Sequence, residues 1–316
     1  MNDNSSQHQS RYLPSFTLAL LAPRYWLIWL LLFAFYVFSW LPISVIDRIA
    51  GALGDYAVKK NRKRMAIVQR NLQLCFPHMT ADEVDVNVRA HFRAYIRSIL
   101  HYGLIWWAPG WRLRRHVELH GAEQIQHYRA QGKNIIALTC HSVGLEFSVI
   151  ALSMRELCGG PYKPMKNPLI DWLVAKGRMQ NRARIFTREE GLRPLVRNTR
   201  EGRVLIYLAD EDLGAEVSVF APFFGVQKAT IPVLGRLAKT CNAIVLPCIS
   251  CYDEQSRKYI VKLMPALQNF PQGDDLADAT NMNQAIEQAV LECVPQYFWT
   301  MKWFRSRPPG EPEIYN

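Results

Sequence analysis

The strongest chemical signal in the sequence is a histidine five residues ahead of a glutamate, in His141-Ser142-Val143-Gly144-Leu145-Glu146. Imidazole is the side chain whose ordinary pKa lies nearest neutrality, so it can serve as a general base. A carboxylate that reaches it fixes the tautomer and stabilises the imidazolium once a proton is taken. The chemistry that suits such a pair is deprotonation of a hydroxyl that attacks an acyl carbonyl. No cysteine or serine is clearly paired with His141, so no covalent enzyme intermediate is expected. The same spacing fits a capping histidine beside a surface glutamate, so the setting must decide between the two.

That setting is a strand, a turn and a helix. Residues 134–140 (NIIALTC) form an apolar run that reads as a buried strand, and 144–157 read as a helix. In α/β folds the C-terminal ends of strands are where reactive groups collect. His141 would sit in the turn and Glu146 in the first turn of the helix, close enough to fold back on the imidazole. Further strands are expected at 117–119, 203–209, 243–250 and 258–263, and helices at 81–100, 230–240 and 281–294. Strands alternating with helices predict an α/β domain on a mixed sheet flanked by helices.

The chain of 316 residues is 49% apolar and 21% charged, which excludes a disordered polymer and allows a core without metal or disulfide staples. Its seven cysteines are odd in number and scattered, so no disulfide framework is expected and a reducing compartment fits better. Cys248 and Cys251 have C-x-x-C spacing but lie in or beside an expected strand, with no second pair, so a zinc site is not expected. A net charge of +11 favours anionic partners: nucleic acid, anionic membrane, phosphorylated substrates or acidic proteins.

The N-terminus bears on that choice. Residues 25–41 (YWLIWLLLFAFYVFSWL) are uncharged, and through Ile46 the run reaches 22 residues, with aromatics at both ends. A helix crossing a bilayer needs about 20 residues, and aromatic belts mark its interfaces. The preceding flank carries Arg11 and Arg24, whereas the following one carries Arg48, Lys59, Lys60, Arg62, Lys63, Arg64 and Arg70. The positive-inside rule puts this second flank in the cytoplasm, and 59–64 (KKNRKR) suits anionic headgroups. The expected organisation is a tail at 1–24, an anchor helix at 25–46 as a single span or lying in the interface, a cytoplasmic body at 47–306, and a surface tail with three prolines at 307–316.

With those elements in place, the sequence resembles the bacterial lipid A late (secondary) acyltransferases, the lauroyl/myristoyl transferase group. Matches run in order along nearly the whole chain: Pro23-Arg24-Tyr25-Trp26, Arg70-Asn71-Leu72, Cys75-Phe76-Pro77, Asn167-Pro168-Leu169-Ile170-Asp171-Trp172-Leu173, Lys228-Ala229-Thr230, Pro295-Gln296-Tyr297, Trp299, Arg307 and Pro309-Gly310-Glu311. Asp210-Glu211-Asp212-Leu213-Gly214 matches the family's P-D-x-D-x-G segment except that Ala209 replaces the proline.

The resemblance implies a glycerolipid-acyltransferase-like fold in the inner membrane, with its catalytic body facing the cytoplasm. It implies transfer of a fatty acyl chain from acyl carrier protein to a hydroxyacyl group of Kdo-lipid A, with no metal, organic cofactor or nucleic acid. The family dyad falls on His141 and Glu146, and its arginine on Arg178, which either stabilises an oxyanion or grips a phosphate. Asn167, Lys163, Arg184, Asp210 and Asp212 become substrate-binding candidates. Trp106 and Trp107, in the aromatic stretch 102–111, are candidates for an acyl-chain groove. Two alternatives stay open: the same transfer onto another membrane glycolipid or glycerolipid, or a non-catalytic protein that binds anionic lipid.

Overall fold

A computed structural model describes residues 12–315, so the first eleven residues of the expected N-terminal tail and Asn316 lie outside the described residues. The apolar N-terminal run does not form one long helix. It gives α1 (Trp26–Ser39), and the chain then breaks at Trp40-Leu41-Pro42 before α2 (Ile43–Lys60). Pro42 has no N–H to donate and stands ahead of the first turn of α2, where that loss costs nothing. At 1.5 Å per residue, α1 is about 21 Å long, short of a ~30 Å hydrocarbon core. Among the described residues no helix is long and apolar enough to cross a membrane, which corrects the expected 25–46 anchor helix.

The helical layer continues with α3 (Arg62–Cys75), α4 (Ala81–Trp106) and α5 (Gly110–Arg115). Asn61 caps α3 by accepting from Arg64 N–H, and Thr80 opens α4 with a reciprocal capping box to Glu83. Helices α2 and α4 pack so closely that a Cβ on Gly54 would lie 2.7 Å from Arg93 Cα. Beside that contact Arg93 donates to both carboxylate oxygens of Asp55 at 2.7 Å.

The body then alternates: β1 (Val117–His120), α6 (Glu123–Ala130), β2 (Asn134–Thr139), α7 (Leu145–Ser153), β3 (Cys158–Tyr162), α8 (Pro168–Arg178), β4 (Arg184–Thr187), α9 (Arg193–Arg200) and β5 (Val204–Leu208). After an antiparallel hairpin, β6 (Val219–Phe223) and β7 (Val226–Thr230), come α10 (Val233–Cys241), β8 (Ala243–Asp253), β9 (Lys258–Leu263) and α11 (Asp275–Leu291). Seven of the described strands form one sheet in the order β1-β9-β8-β2-β5-β3-β4. Every pairing in it is parallel except β8 with β9. This is the mixed, helix-flanked sheet expected from the alternation.

Period-2 alternation splits the interior into two layers. Ile135 and Ala137 of β2, Ile206 of β5 and Leu246 of β8 face α7, with Phe147 and Ile150. Ile136 and Leu138 of β2, Leu205 of β5 and Val245 of β8 face the opposite layer, with Leu195 of α9, Leu234 and Leu237 of α10, and Met282 and Ile286 of α11. Helix α1 belongs to the first side: Phe35 packs on Trp106 and Trp107, and Trp29 on Trp172 of α8.

The segment at 307–315 keeps residues 309–313 exposed at the surface, while its ends are fastened: Ile314 and Tyr315 pack on the core, Tyr315 Oη donates to Asn71, and Arg307 donates to Gln227 O at 2.7 Å. The scattered cysteines are not all unpaired, since Cys251 of β8 and Cys293 just after α11 form a disulfide. Cys248 lies in the other layer, so the C-x-x-C residues face opposite sides of one strand.

Candidate active site

Strands β2 and β5 are parallel neighbours in register, with Thr139 beside Leu208. Their C-terminal ends therefore release His141 and Asp210 side by side. Asp210 is buried, and its Oδ1 lies 2.6 Å from His141 Nδ1. Its Oδ2 accepts the backbone N–H of His141 at 2.8 Å and the Tyr297 hydroxyl at 3.0 Å. A carboxylate accepting at Nδ1 assigns the proton to that nitrogen and leaves Nε2 as the basic atom.

The His141 turn is clamped by the segment after α11. Val143 N–H donates to Gln296 O and Phe298 N–H to His141 O, each at 2.8 Å. Trp303 lies 5.9 Å from the imidazole, ring centre to ring centre, and stacks on Tyr297 at 4.8 Å. Burial alone would lower the His141 pKa, but the Asp210 charge and hydrogen bond reverse the direction and raise it. For Asp210, burial works to raise the pKa, yet His141, its backbone N–H and the charge of Lys228 hold it below the ordinary carboxylate value.

Glu146 does not make the contact expected of it. It sits in the first turn of α7, where it binds Arg178 from the last turn of α8. Arg178 Nε donates to both carboxylate oxygens at 3.1 Å, and Nη2 donates to Oε1. The guanidinium also lies over the Tyr162 ring at 5.3 Å. The carboxylate on His141 comes instead from a neighbouring strand, and Glu146 orients the arginine.

Beside His141 opens a cavity of about 520 Å³, within the usual range for small-molecule sites. Leu145 and Val149 of α7, Gly159 and Gly160 of β3, Ile185, Ile206 and Leu208 give it an apolar wall. His141, Lys163, Arg178, Arg184 and Arg188 supply polar groups, and Glu211 an acid. Gly160 lets β3 lie close to β5: a Cβ there would stand 2.6 Å from Ile206 O.

Residues 13–306 match the model of the family described as bacterial lipid A biosynthesis acyltransferase. The chain belongs to this family. It is 34% identical over 306 residues to a lipid A biosynthesis acyltransferase of Haemophilus influenzae, covering 96% of this chain and 95% of that one. It is 34% identical over 304 residues to the lipid A biosynthesis lauroyltransferase of Escherichia coli K12, covering 96% and 99%. It is 28% identical over 314 residues to the myristoyltransferase of the same organism, covering 98% and 97%. The resemblance noted in the sequence is thereby established.

Within this acyltransferase, the remaining candidates separate by what holds them. Lys163 and Arg184 reach the cavity wall, with Arg184 also paired to Glu201 at 2.7 Å. Asn167 is occupied as the cap of α8, accepting from Leu169 and Ile170 N–H. Asp212 secures the C-terminal segment, accepting Ser306 N–H at 2.7 Å and Ser306 Oγ at 2.8 Å. Trp106 and Trp107, expected to form an acyl groove, do not line this cavity; at the end of α4 they pack against Phe35 of α1.

The acyltransferase site also contains residues to which the sequence assigned no role. Tyr297 holds Asp210 from 87 residues away. Lys228 of β7 is fully buried, its Nζ lies 5.8 Å from the Phe223 ring and 6.0 Å from Trp303, and the ammonium has no hydrogen-bond partner among the described residues. Burial pushes its pKa down to about 8 against the opposing pull of Asp210 and Asp212. Lys228-Ala229-Thr230 matched the family, but nothing local in a lysine of a short strand signals such a position. Among the described residues no group of three or more His, Cys, Asp or Glu could hold a metal ion.

Proposed function

We propose that this acyltransferase moves a fatty acyl chain from the thioester of acyl carrier protein to a hydroxyacyl group of Kdo-lipid A, with His141 as general base. Membership of the family supplies the coarser statement, late acyl transfer in lipid A biosynthesis. The observation that carries the finer one is the His141–Asp210 pair at the mouth of an apolar cavity that Arg178 also lines.

In this reading the acyl chain occupies the cavity, where each buried methylene contributes about 0.8 kcal/mol. His141 Nε2 takes the proton of the acceptor hydroxyl as the oxygen attacks the thioester carbonyl. Asp210 holds the Nδ1–H tautomer and stabilises the imidazolium that forms. Arg178, fixed by Glu146, meets the charge that develops on the carbonyl oxygen. Collapse breaks the carbon–sulfur bond, and the proton on His141 passes to the leaving thiolate. The thioester supplies the activation, so the reaction calls on no metal or organic cofactor.

The proposed location is the cytoplasmic side of the inner membrane, with α1 lying in the interface. Support comes from its outward side, where Trp26, Leu27, Leu30, Leu31 and Phe33 are all exposed. The test is transfer from a labelled acyl carrier protein to Kdo-lipid A in detergent by wild type and by His141→Ala. Transfer by wild type alone is expected. Equal transfer by both would remove His141 from the mechanism, and transfer by neither would remove the proposed donor or acceptor.

A further inference from the structure

Beyond the cavity, a strongly basic surface lies between α9 and α10. Arg193, Arg197 and Arg200 fall at positions i, i+4 and i+7 of α9, which places them along one side of the helix. Arg236 of α10 stands across a groove of about 610 Å³ whose floor is Leu192, Val196 and Leu237. All four arginines are exposed. Among the described residues none of them is paired with a carboxylate, and the acid bordering the groove, Glu201, is taken by Arg184. Arg200 donates to Thr240 O at 2.7 and 3.2 Å, which fastens α9 to the end of α10.

Two relationships say what this surface faces. The first is continuity: Leu192 lines both this groove and the catalytic cavity, and Arg188, four residues earlier, stands on the cavity wall. A body seated on the arginines therefore overlaps the cavity mouth. The second is sidedness. Helices α9 and α10 pack on one side of the sheet, through Leu195, Leu234 and Leu237. The apolar α1 packs on the other, against α4 and α8. A bilayer that receives α1 lies away from the arginine row, so the row meets a partner arriving from the aqueous side.

We propose that the α9–α10 groove docks the protein carrier of the acyl donor through an acidic helix. This rests on the reading that the chain transfers acyl groups from a carrier thioester. Four guanidinium groups carried at helical spacing match a row of carboxylates on a helix, and Leu192, Val196 and Leu237 accept its apolar side chains. The carrier's prosthetic arm then enters past Leu192 and presents its thioester to His141. Because the surface is exposed, its contribution is to encounter and binding rather than to the chemical step.

The test compares two donors of one chain length, acyl carrier protein and the small thioester acyl-pantetheine, on wild type and Arg193→Glu/Arg197→Glu/Arg236→Glu. The expected result is a KM for the carrier donor raised about tenfold or more with kcat nearly unchanged, and kcat/KM for acyl-pantetheine within about twofold of wild type. Added salt should raise the wild-type carrier KM and leave that of the variant nearly flat. An unchanged carrier KM would overturn the docking site, as would equal loss with both donors. Loss of binding to anionic vesicles with an unchanged carrier KM would assign the surface to the membrane instead. If the triple glutamate variant does not fold, the triple glutamine variant is read in the same way. Wild type that uses acyl-pantetheine but not the carrier overturns the docking proposal alone; wild type that transfers from neither overturns the acyl-transfer reading beneath it.

Discussion

His141 and Asp210 are 69 residues apart in sequence, yet Asp210 grips both the imidazole Nδ1, at 2.6 Å, and the backbone N–H of the same histidine, at 2.8 Å. One buried carboxylate thus fixes the ring and the turn that carries it. The arrangement arises because β2 and β5 are parallel neighbours that end at the same height, and Tyr297 locks the carboxylate from a third direction.

The pH dependence follows from this pair. His141 must be neutral to accept a proton, and its pKa is raised, so the acid limb of kcat/KM is expected above pH 6.5. The effect on stability has the opposite sense. A raised histidine pKa contributes stability that is fully present below about pH 6.5 and lost as pH rises through the folded value. The lowered Asp210 pKa contributes stability present above about pH 4 and lost as pH falls. The difference in thermal midpoint between wild type and His141→Gln should therefore be largest between about pH 4 and 6.5. Thermal unfolding across pH checks this.

Glu146 and Arg178 should behave as one unit. Glu146→Gln removes the charge that holds the guanidinium fork, and a loss of about 10²-fold in kcat is expected. Arg178→Lys should not restore the geometry, because an ammonium cannot reproduce Nε and Nη2 donating together. The double variant Glu146→Gln/Arg178→Lys should lose far less than the product of the single losses, which a double-mutant cycle of kcat measures.

Legibility in the sequence differed sharply between elements. The run 134–140 announced β2 because it is apolar throughout, and its end located His141. Asp210 was legible as an acid in a family-like segment, but not as the partner of His141, because strand order brings them together and sequence spacing does not. Glu146 misled through proximity: five residues suggested a contact, but α7 turns its carboxylate toward α8. Strand β3 (CGGPY) was hidden because glycine and proline read as a turn, whereas here Gly160 serves a close approach to β5. The N-terminal run looked like a span because composition alone does not show the break at Pro42. Tyr297 and Lys228 were visible only as matches to a family, since nothing local in an aromatic or a lysine reports which charge it will face.

Lys228 is a buried ammonium without a hydrogen-bond partner among the described residues, so it costs stability. Its folded pKa of about 8 is below its unfolded value, so stability should rise with pH from about 8 to about 10 as the unfolded chain holds the extra proton. Lys228→Met should remove that rise and raise stability at pH 7 by about 1–3 kcal/mol, with a higher melting midpoint. It should also move the acid limb of the rate upward, because a cation near the His141–Asp210 pair is lost. Calorimetry and the pH–rate profile read the two effects.

Membrane attachment through α1 has its own signature. Leu30→Glu/Leu31→Glu places two charges on the exposed apolar side of α1, away from the contacts of Trp29 and Phe35. Sedimentation with vesicles should show at least tenfold weaker binding, since each buried leucine contributes about 1.5–3 kcal/mol. Activity on detergent-dispersed acceptor should stay near wild type. Unchanged vesicle binding would place the membrane contact elsewhere.

The central claim is that Asp210, not Glu146, is the carboxylate that works through His141. The most direct measurement is the pH profile of single-turnover acyl transfer for wild type, Asp210→Asn and Glu146→Gln. Asp210→Asn should slow transfer by about 10³–10⁴-fold and move the acid limb downward, because the charge that raises the His141 pKa is gone. Glu146→Gln should slow transfer with its acid limb in the wild-type position. An acid limb that moves with Glu146→Gln and stays in place with Asp210→Asn would contradict the account.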